Sequence, residues 1–259
     1  MSAGAQLELH HELAGPPAGP VVVLGPSLGT DLHLFDQQVE VLARDWCVLR
    51  FDLPGHGKSP APTGACTMLE LADAVGTLID RFGVRSYSYA GVSIGGAIGL
   101  HLALQDTRLE RLVVCASAAQ FADPPSWHVR ADKVRVEGTG FLRSSRLGTW
   151  YTPEFAEREP AQVAALLAML DQTAPEGYAA CCNAIAGHDV RARLAEIRIP
   201  TAVIAGEEDP ATSVAMCREI SDGIPGAAFS VIPHASHLLN VEQPEAVTSL
   251  ILDHLTTQG

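Results

Sequence analysis

The chain has 259 residues, of which 47% are apolar and 18% charged, and carries a formal net charge of −13 at neutral pH. This length suits one α/β domain with an insertion, and the apolar fraction supplies a buried core and argues against disorder. The negative charge argues against nucleic acid or an anionic membrane as partner, and it leaves an anionic substrate dependent on a local arginine or lysine. No apolar stretch reaches the roughly 18 residues that a membrane span needs. The opening M-S-A-G-A-Q-L-E-L-H has no basic region followed by an apolar run, so no signal peptide and a cytoplasmic location are expected. Cys47, Cys66, Cys115, Cys181, Cys182 and Cys217 lack metal-ligand spacing and read as reduced thiols, several of them in the core.

In chain order, the Pro/Gly cluster at 15–20 reads as the turn of a hairpin between an N-terminal strand and the first buried strand, P-V-V-V-L-G (20–25). Helical spacing follows over 32–43, then a strand at 46–52. A longer amphipathic helix over 67–82 is stopped by Gly83. A strand near 86–91, a helix over about 94–105 and a strand at 111–116 complete the first half. Two further apolar strands, at 199–206 and 228–233, alternate with helices near 213–222 and 243–256. Continuous apolar strands between amphipathic helices predict an α/β protein whose parallel sheet is covered on both faces. Residues 121–190 break this alternation with helix-like segments alone. They read as a helical cap inserted between a first core segment, 1–120, and a second, 191–259, with Leu166, Leu167, Met169 and Leu170 in the cap core.

Gly91-Val92-Ser93-Ile94-Gly95 fits G-x-S-x-G between a predicted strand and a predicted helix, the setting of a nucleophile elbow. Side chains two residues either side of the serine would keep strand and helix apart, so glycine is required there. A serine hydroxyl becomes a nucleophile only when a base takes its proton. His237, just past the last predicted strand, is the leading base and His234 its nearest rival. Asp209, in A-G-E-E-D-P-A-T, is the carboxylate expected to orient the imidazole, with Glu207 and Glu208 as solvated neighbours. The order Ser93, Asp209, His237 is that of α/β hydrolases. Backbone N–H groups of Ile94 and of Leu28, in the loop G-P-S-L-G-T-D (25–31), are the candidate oxyanion donors. F-D-L-P-G-H-G-K-S (51–59) reads as a structural loop with His56 as a packing residue. Neither a P-loop nor a dinucleotide fingerprint is present, and no cluster has metal-ligand spacing, so no metal is expected.

Taken together, S-L-G-T-D (27–31), F-D-L-P-G-H-G (51–57), P-E-G-Y-A-A-C-C-N-A-I (175–185), A-G-E-E-D-P-A-T (205–212) and H-L-L-N-V-E-Q-P (237–244) resemble the 3-oxoadipate enol-lactonases. The resemblance spans nearly the whole chain. It implies the α/β-hydrolase fold and cofactor-free hydrolysis of a small lactone, 3-oxoadipate enol-lactone, within the aromatic-degrading β-ketoadipate pathway. That substrate carries a carboxylate. Trp127 and Arg130, three apart on one helical face, are the residues expected to contact it, Arg130 pairing the carboxylate. Departures are Pro26, where relatives commonly have asparagine, and His33-Leu34-Phe35, where a methionine-tryptophan pair is common. An esterase, a different lactonase or a carbon–carbon hydrolase using the same triad remains open, as does a ligand-binding homologue without turnover.

Overall fold

A computed structural model describes residues 7–257; residues 1–6 and 258–259, with most of the stretch that argued against a signal peptide, lie outside the described residues. Strand β1 (His11–Ala14) precedes β2 (Val21–Gly25), a 3-10 turn over Leu32–Phe35, α1 (Asp36–Leu42) and β3 (Cys47–Phe51). Helix α2 (Met68–Arg81) then leads to β4 (Tyr87–Val92), α3 (Ile94–Gln105) and β5 (Leu109–Cys115). A capping box starts α2: Thr67 accepts from the Glu70 amide while the Glu70 carboxylate reaches back to the Thr67 amide.

Between β5 and the next strand the chain runs through α4 (Pro124–Glu137), a 3-10 helix over Gly140–Ser145, α5 (Pro153–Arg158), α6 (Pro160–Gln172) and α7 (Pro175–Ala186). Each of the four α-helices begins with proline, whose missing N–H costs nothing in the first turn. The chain returns to the sheet in β6 (Thr201–Gly206), α8 (Val214–Gly223) and β7 (Ala228–Ile232). It ends with the short α9 (Leu239–Glu242) and with α10 (Pro244–Thr256).

The seven strands order as β1-β3-β2-β4-β5-β6-β7, and every pair is parallel except β1 with β3. The central strands β4 and β6 are buried at every residue, as both-face coverage demands. The expected N-terminal hairpin does not form. β2 pairs with β3 on one side and β4 on the other, so it has no free edge for β1. β1 instead passes across to pair antiparallel with β3, His11 opposite Phe51.

The chain leaves β2 for β3 on one side and returns to β4 on the other. This reversal opens a crevice at the carboxyl ends of β2 and β4, where ligands of open α/β sheets bind. Both loops that later form the cavity floor, after β2 and after β4, leave the sheet there. The six cysteines are free and all but Cys47 are buried. Among the described residues no helix is long and apolar enough to cross a membrane.

Candidate active site

Ser93 sits between β4 and α3 with φ 59° and ψ −119°, one of four non-glycine residues with positive φ among those described. Such a conformation costs on the order of 1–3 kcal/mol and persists only when the surroundings enforce it. They do so by closeness. A Cβ on Gly91 would stand 2.4 Å from the Gly95 backbone, and one on Gly95 would stand 2.1 Å from the Gly25 carbonyl oxygen. β2, β4 and α3 therefore meet at van der Waals distance, and the turn has no room to relax. The Ser93 amide donates to the Cys115 carbonyl at 2.9 Å, and the Ser117 hydroxyl donates to the Ser93 carbonyl at 2.7 Å. These bonds pin the elbow to the neighbouring strand.

Asp209 and His237 come from the loops after β6 and β7. His237 Nδ1 lies 2.8 Å from Asp209 Oδ2, and both side chains are buried. Asp209 Oδ1 accepts from the amides of Ala211, at 2.7 Å, and Thr212, at 3.1 Å, while the Thr212 hydroxyl donates to Oδ2 at 2.6 Å. Burial works to raise the Asp209 carboxyl. The facing His237 ring and the hydrogen bonds from His237 and Thr212 outweigh it and hold the group below the usual carboxylate range. An ionised Asp209 fixes the His237 proton on Nδ1 and leaves Nε2 free. His234 is an exposed turn residue at φ 53°, and Glu207 and Glu208 are exposed. Among the described residues no hydrogen bond joins the Ser93 hydroxyl to His237; the two side chains line one cavity.

The loop after β2 forms the facing wall. Thr30 closes a turn onto the Ser27 carbonyl through its amide and its hydroxyl, at 3.2 and 2.9 Å, around Gly29 at φ +81°. The Gly29 amide donates to His56 Nε2 at 3.0 Å, and His56 Nδ1 lies 3.0 Å from the Pro54 carbonyl. Since Nε2 accepts, the proton is on Nδ1. Burial drives the His56 pKa down to about 4, so the ring is neutral and acts as a brace for this loop, not as a base. Among the described residues the Leu28 amide has no protein acceptor, and the Ile94 amide, first in α3, has no intrahelical one.

The other half of the cavity belongs to the inserted helices. Its volume is about 410 Å³, and Trp127, Arg130, Arg146, Trp150 and Tyr178 line it together with Ser93 and His237. Trp127 and Arg130 do share a face of α4. The Arg130 guanidinium lies 4.4 Å from the Trp127 ring centre, and the indole N–H donates to the Ala122 carbonyl at 3.1 Å. Among the described residues Arg130 has no carboxylate partner. Arg135, one turn on, is taken by Glu176 and Asp132 at 3.3 and 3.0 Å.

Four residues that sequence reasoning passed over belong here: Arg146, Trp150, Tyr178 and Glu242. Arg146 and Trp150 stand four apart in R-S-S-R-L-G-T-W, a spacing that could have flagged a second cation–aromatic pair like Trp127 with Arg130. Glu242 is buried and accepts from the amide and hydroxyl of Thr152, both at 2.8 Å, and from the Ser236 amide at 2.6 Å. It thereby ties the His237 loop to the inserted helices. The Leu238 amide adds a bond to the Trp150 carbonyl at 2.8 Å.

The family model for the alpha/beta hydrolase fold matches residues 20–244. The 3-oxoadipate enol-lactonase 2 of Acinetobacter baylyi is 35% identical over 239 residues, covering 92% of this chain and 89% of that protein. The crystal structure of the enol-lactonase from Burkholderia xenovorans LB400 is 37% identical with a TM-score of 0.95, covering 99% of each chain. A thermophilic esterase from Thermogutta terrifontis, solved with malate bound, is 29% identical with a TM-score of 0.91, covering 96% of this chain and 93% of that one. Fold and family match define an α/β hydrolase. Within that superfamily the chain belongs to the 3-oxoadipate enol-lactonase family, and it is an ester-hydrolysing enzyme.

Proposed function

We propose that this enzyme opens 3-oxoadipate enol-lactone to 3-oxoadipate in the cytoplasm, as a step of aromatic degradation by the β-ketoadipate pathway, without cofactor. The observation that carries the mechanism is the buried Asp209–His237 pair at 2.8 Å, opening onto the cavity that also holds the elbow serine. Ser93 Oγ attacks the lactone carbonyl while His237 Nε2 takes its proton, and Asp209 keeps the imidazole in the required tautomer. The carbonyl oxygen becomes an oxyanion that accepts from the amides of Leu28 and Ile94, the latter at the positive end of α3.

Collapse of this intermediate breaks the ring C–O bond. The departing enol oxygen takes the proton from His237, and the enol tautomerises to the ketone, which makes it an easy leaving group. His237 then deprotonates a water that attacks the acyl carbon, and the Ser93–acyl bond breaks as the hydroxyl recovers its proton. Trp127 and Arg130 contact the substrate from the helical side, which we read as an inserted cap comprising residues 121–190. The relatives named enol-lactonases support the substrate.

The test follows enol-lactone opening by absorbance for the wild type and Ser93→Ala, with a neutral phenyl ester as comparison. Ser93→Ala should remain folded and lose on the order of 10⁴–10⁶ in kcat. A folded Ser93→Ala enzyme with wild-type turnover overturns the mechanism. Serine-dependent ester cleavage with no opening of the enol-lactone keeps the nucleophile and overturns the substrate.

A further inference from the structure

Arg146 is buried at 6% exposure at the end of the 3-10 helix over 140–145, yet among the described residues no carboxylate lies within ion-pairing distance of it. Its Nε donates to the Leu142 carbonyl at 3.1 Å and Nη2 to the Ser145 hydroxyl at 2.9 Å, while the guanidinium stacks on Trp150 at 5.1 Å from the ring centre. The fork is thus held in one orientation, with Nη1 left without a partner. A buried charge with no counter-ion is costly, and folded chains retain one only where something completes it. Burial also lowers the Arg146 pKa, the effect expected of a cation still waiting for its anion.

A second group on the same wall points the same way. Tyr178 is fully buried, and among the described residues its hydroxyl has no hydrogen-bond partner. Burial pushes its pKa up to about 12, so at neutral pH it is a phenol with a proton to donate. Both side chains line the cavity that holds Ser93 and His237, as does Arg130. The acidic groups there are Asp123, exposed at the rim, and nearby Asp209, which is committed to His237.

Resting on the reading above, we propose that Arg146 and Tyr178 form the carboxylate seat of the substrate, with Arg146 donating through Nη1 and Tyr178 through its hydroxyl. Arg130 closes the seat from α4 as a third, more exposed donor. The three groups accept a planar anion with two acceptor oxygens better than any neutral tail, and they hold it in the low-dielectric half of the cavity, where a charge-assisted bond discriminates most. The enzyme's preference for an anionic lactone is thereby built into the helical insertion, apart from the groups proposed to do the chemistry.

The experiment compares two enol-lactones sharing one ring, the carboxymethyl compound and the neutral methyl compound, and reads the ratio of their kcat/KM values. Arg146→Met should reduce the wild-type ratio by about 30- to 100-fold, and Tyr178→Phe by about 10-fold, mostly through KM, as loss of hydrogen bonds to a charged group implies. Arg146→Lys, which keeps the charge and guards against a variant that fails to fold, should fall between wild type and Arg146→Met. Arg146→Lys and Tyr178→Phe proteins that are folded and keep the full wild-type ratio overturn the seat while leaving the enol-lactone reading intact. A wild type that opens the neutral lactone as fast as the charged one overturns that reading and the seat with it.

Discussion

The two walls of the cavity treat their polar groups in opposite ways. Along the sheet edge the groups behind the elbow serine are occupied by protein: Asp209 accepts from Ala211, Thr212 and His237, and His56 is held between the Gly29 amide and the Pro54 carbonyl. On the helical side polar groups are left open among the described residues: the Tyr178 hydroxyl has no hydrogen-bond partner, and Arg130 and Arg146 have no carboxylate partner. The Asp209–His237 pair and the His56 brace are complete without substrate, as preorganisation requires. The helical wall is incomplete in a way that specifies the sign of what completes it. For the anionic lactone proposed above, the overall field of a chain of net charge −13 is repulsive, and this local pair of cations offsets it.

The sharpest way to break the comparison is to disturb the complete wall without changing its shape. Asp209→Asn is nearly isosteric, but an amide nitrogen facing His237 Nδ1 favours the tautomer with its proton on Nε2, where the base must be free. kcat should drop about 10⁴-fold, with a thermal midpoint close to that of the wild type. A loss under tenfold in a folded Asp209→Asn protein would mean that the bond at 2.8 Å only holds the loop in place.

A smaller effect tests whether the braces behind this wall are closed as described. His56 has a folded-state pKa of about 4 against its ordinary 6.5, and His188 is likewise lowered to about 4, by burial and then by the facing His101. Below pH 6.5 the unfolded chain binds protons that the folded chain refuses. These groups therefore cost stability progressively as pH falls from 6.5 towards 4, and cost none above 6.5. Between pH 7 and pH 5 each should remove about 2 kcal/mol from the unfolding free energy in denaturant titrations. His56→Asn should flatten that slope by close to one proton. Protonation at Nε2 would also displace the Gly29 amide, so activity should fall with stability in the wild type. An unchanged slope in His56→Asn removes His56 from the account.

Much of this arrangement is legible in the sequence because it is local. The elbow reads directly from Gly91 and Gly95, since sterics permit nothing else two residues from a serine on so tight a turn. The start of α3 follows from the elbow, and Asp209 and His237 stand just beyond successive apolar strands. What was not legible depends on partners distant in sequence. The pattern of residues 11–14 marks a strand but cannot say that its partner is β3 and not β2. Glu242 looks like one more helix carboxylate until it meets Thr152, 90 residues earlier. Arg146 caps the 3-10 helix over 140–145; its spacing from Trp150 hints at a cation–aromatic pair, but that no carboxylate among the described residues stands beside it is a tertiary fact.

The smallest expected effect sharpens the contrast between occupied and open cations on a single helix. Arg135 follows Arg130 by five residues on α4, but its guanidinium already serves Glu176 and Asp132. These carboxylates are largely exposed, so the pairs contribute little, and Arg135→Ala should change the unfolding free energy by no more than about 1 kcal/mol. KM for the carboxylated lactone should stay within about twofold of wild type, since two exposed ion pairs at a site outside the cavity lining supply nothing to the substrate. Arg130→Ala, measured beside it, should raise that KM severalfold while losing no ion pair among the described residues. Equal KM values in the two variants would mean that charge on α4 acts through the general field and not through a seat. Unequal ones that persist at high salt and vanish with the neutral lactone would tie the effect to contact between one guanidinium and one carboxylate.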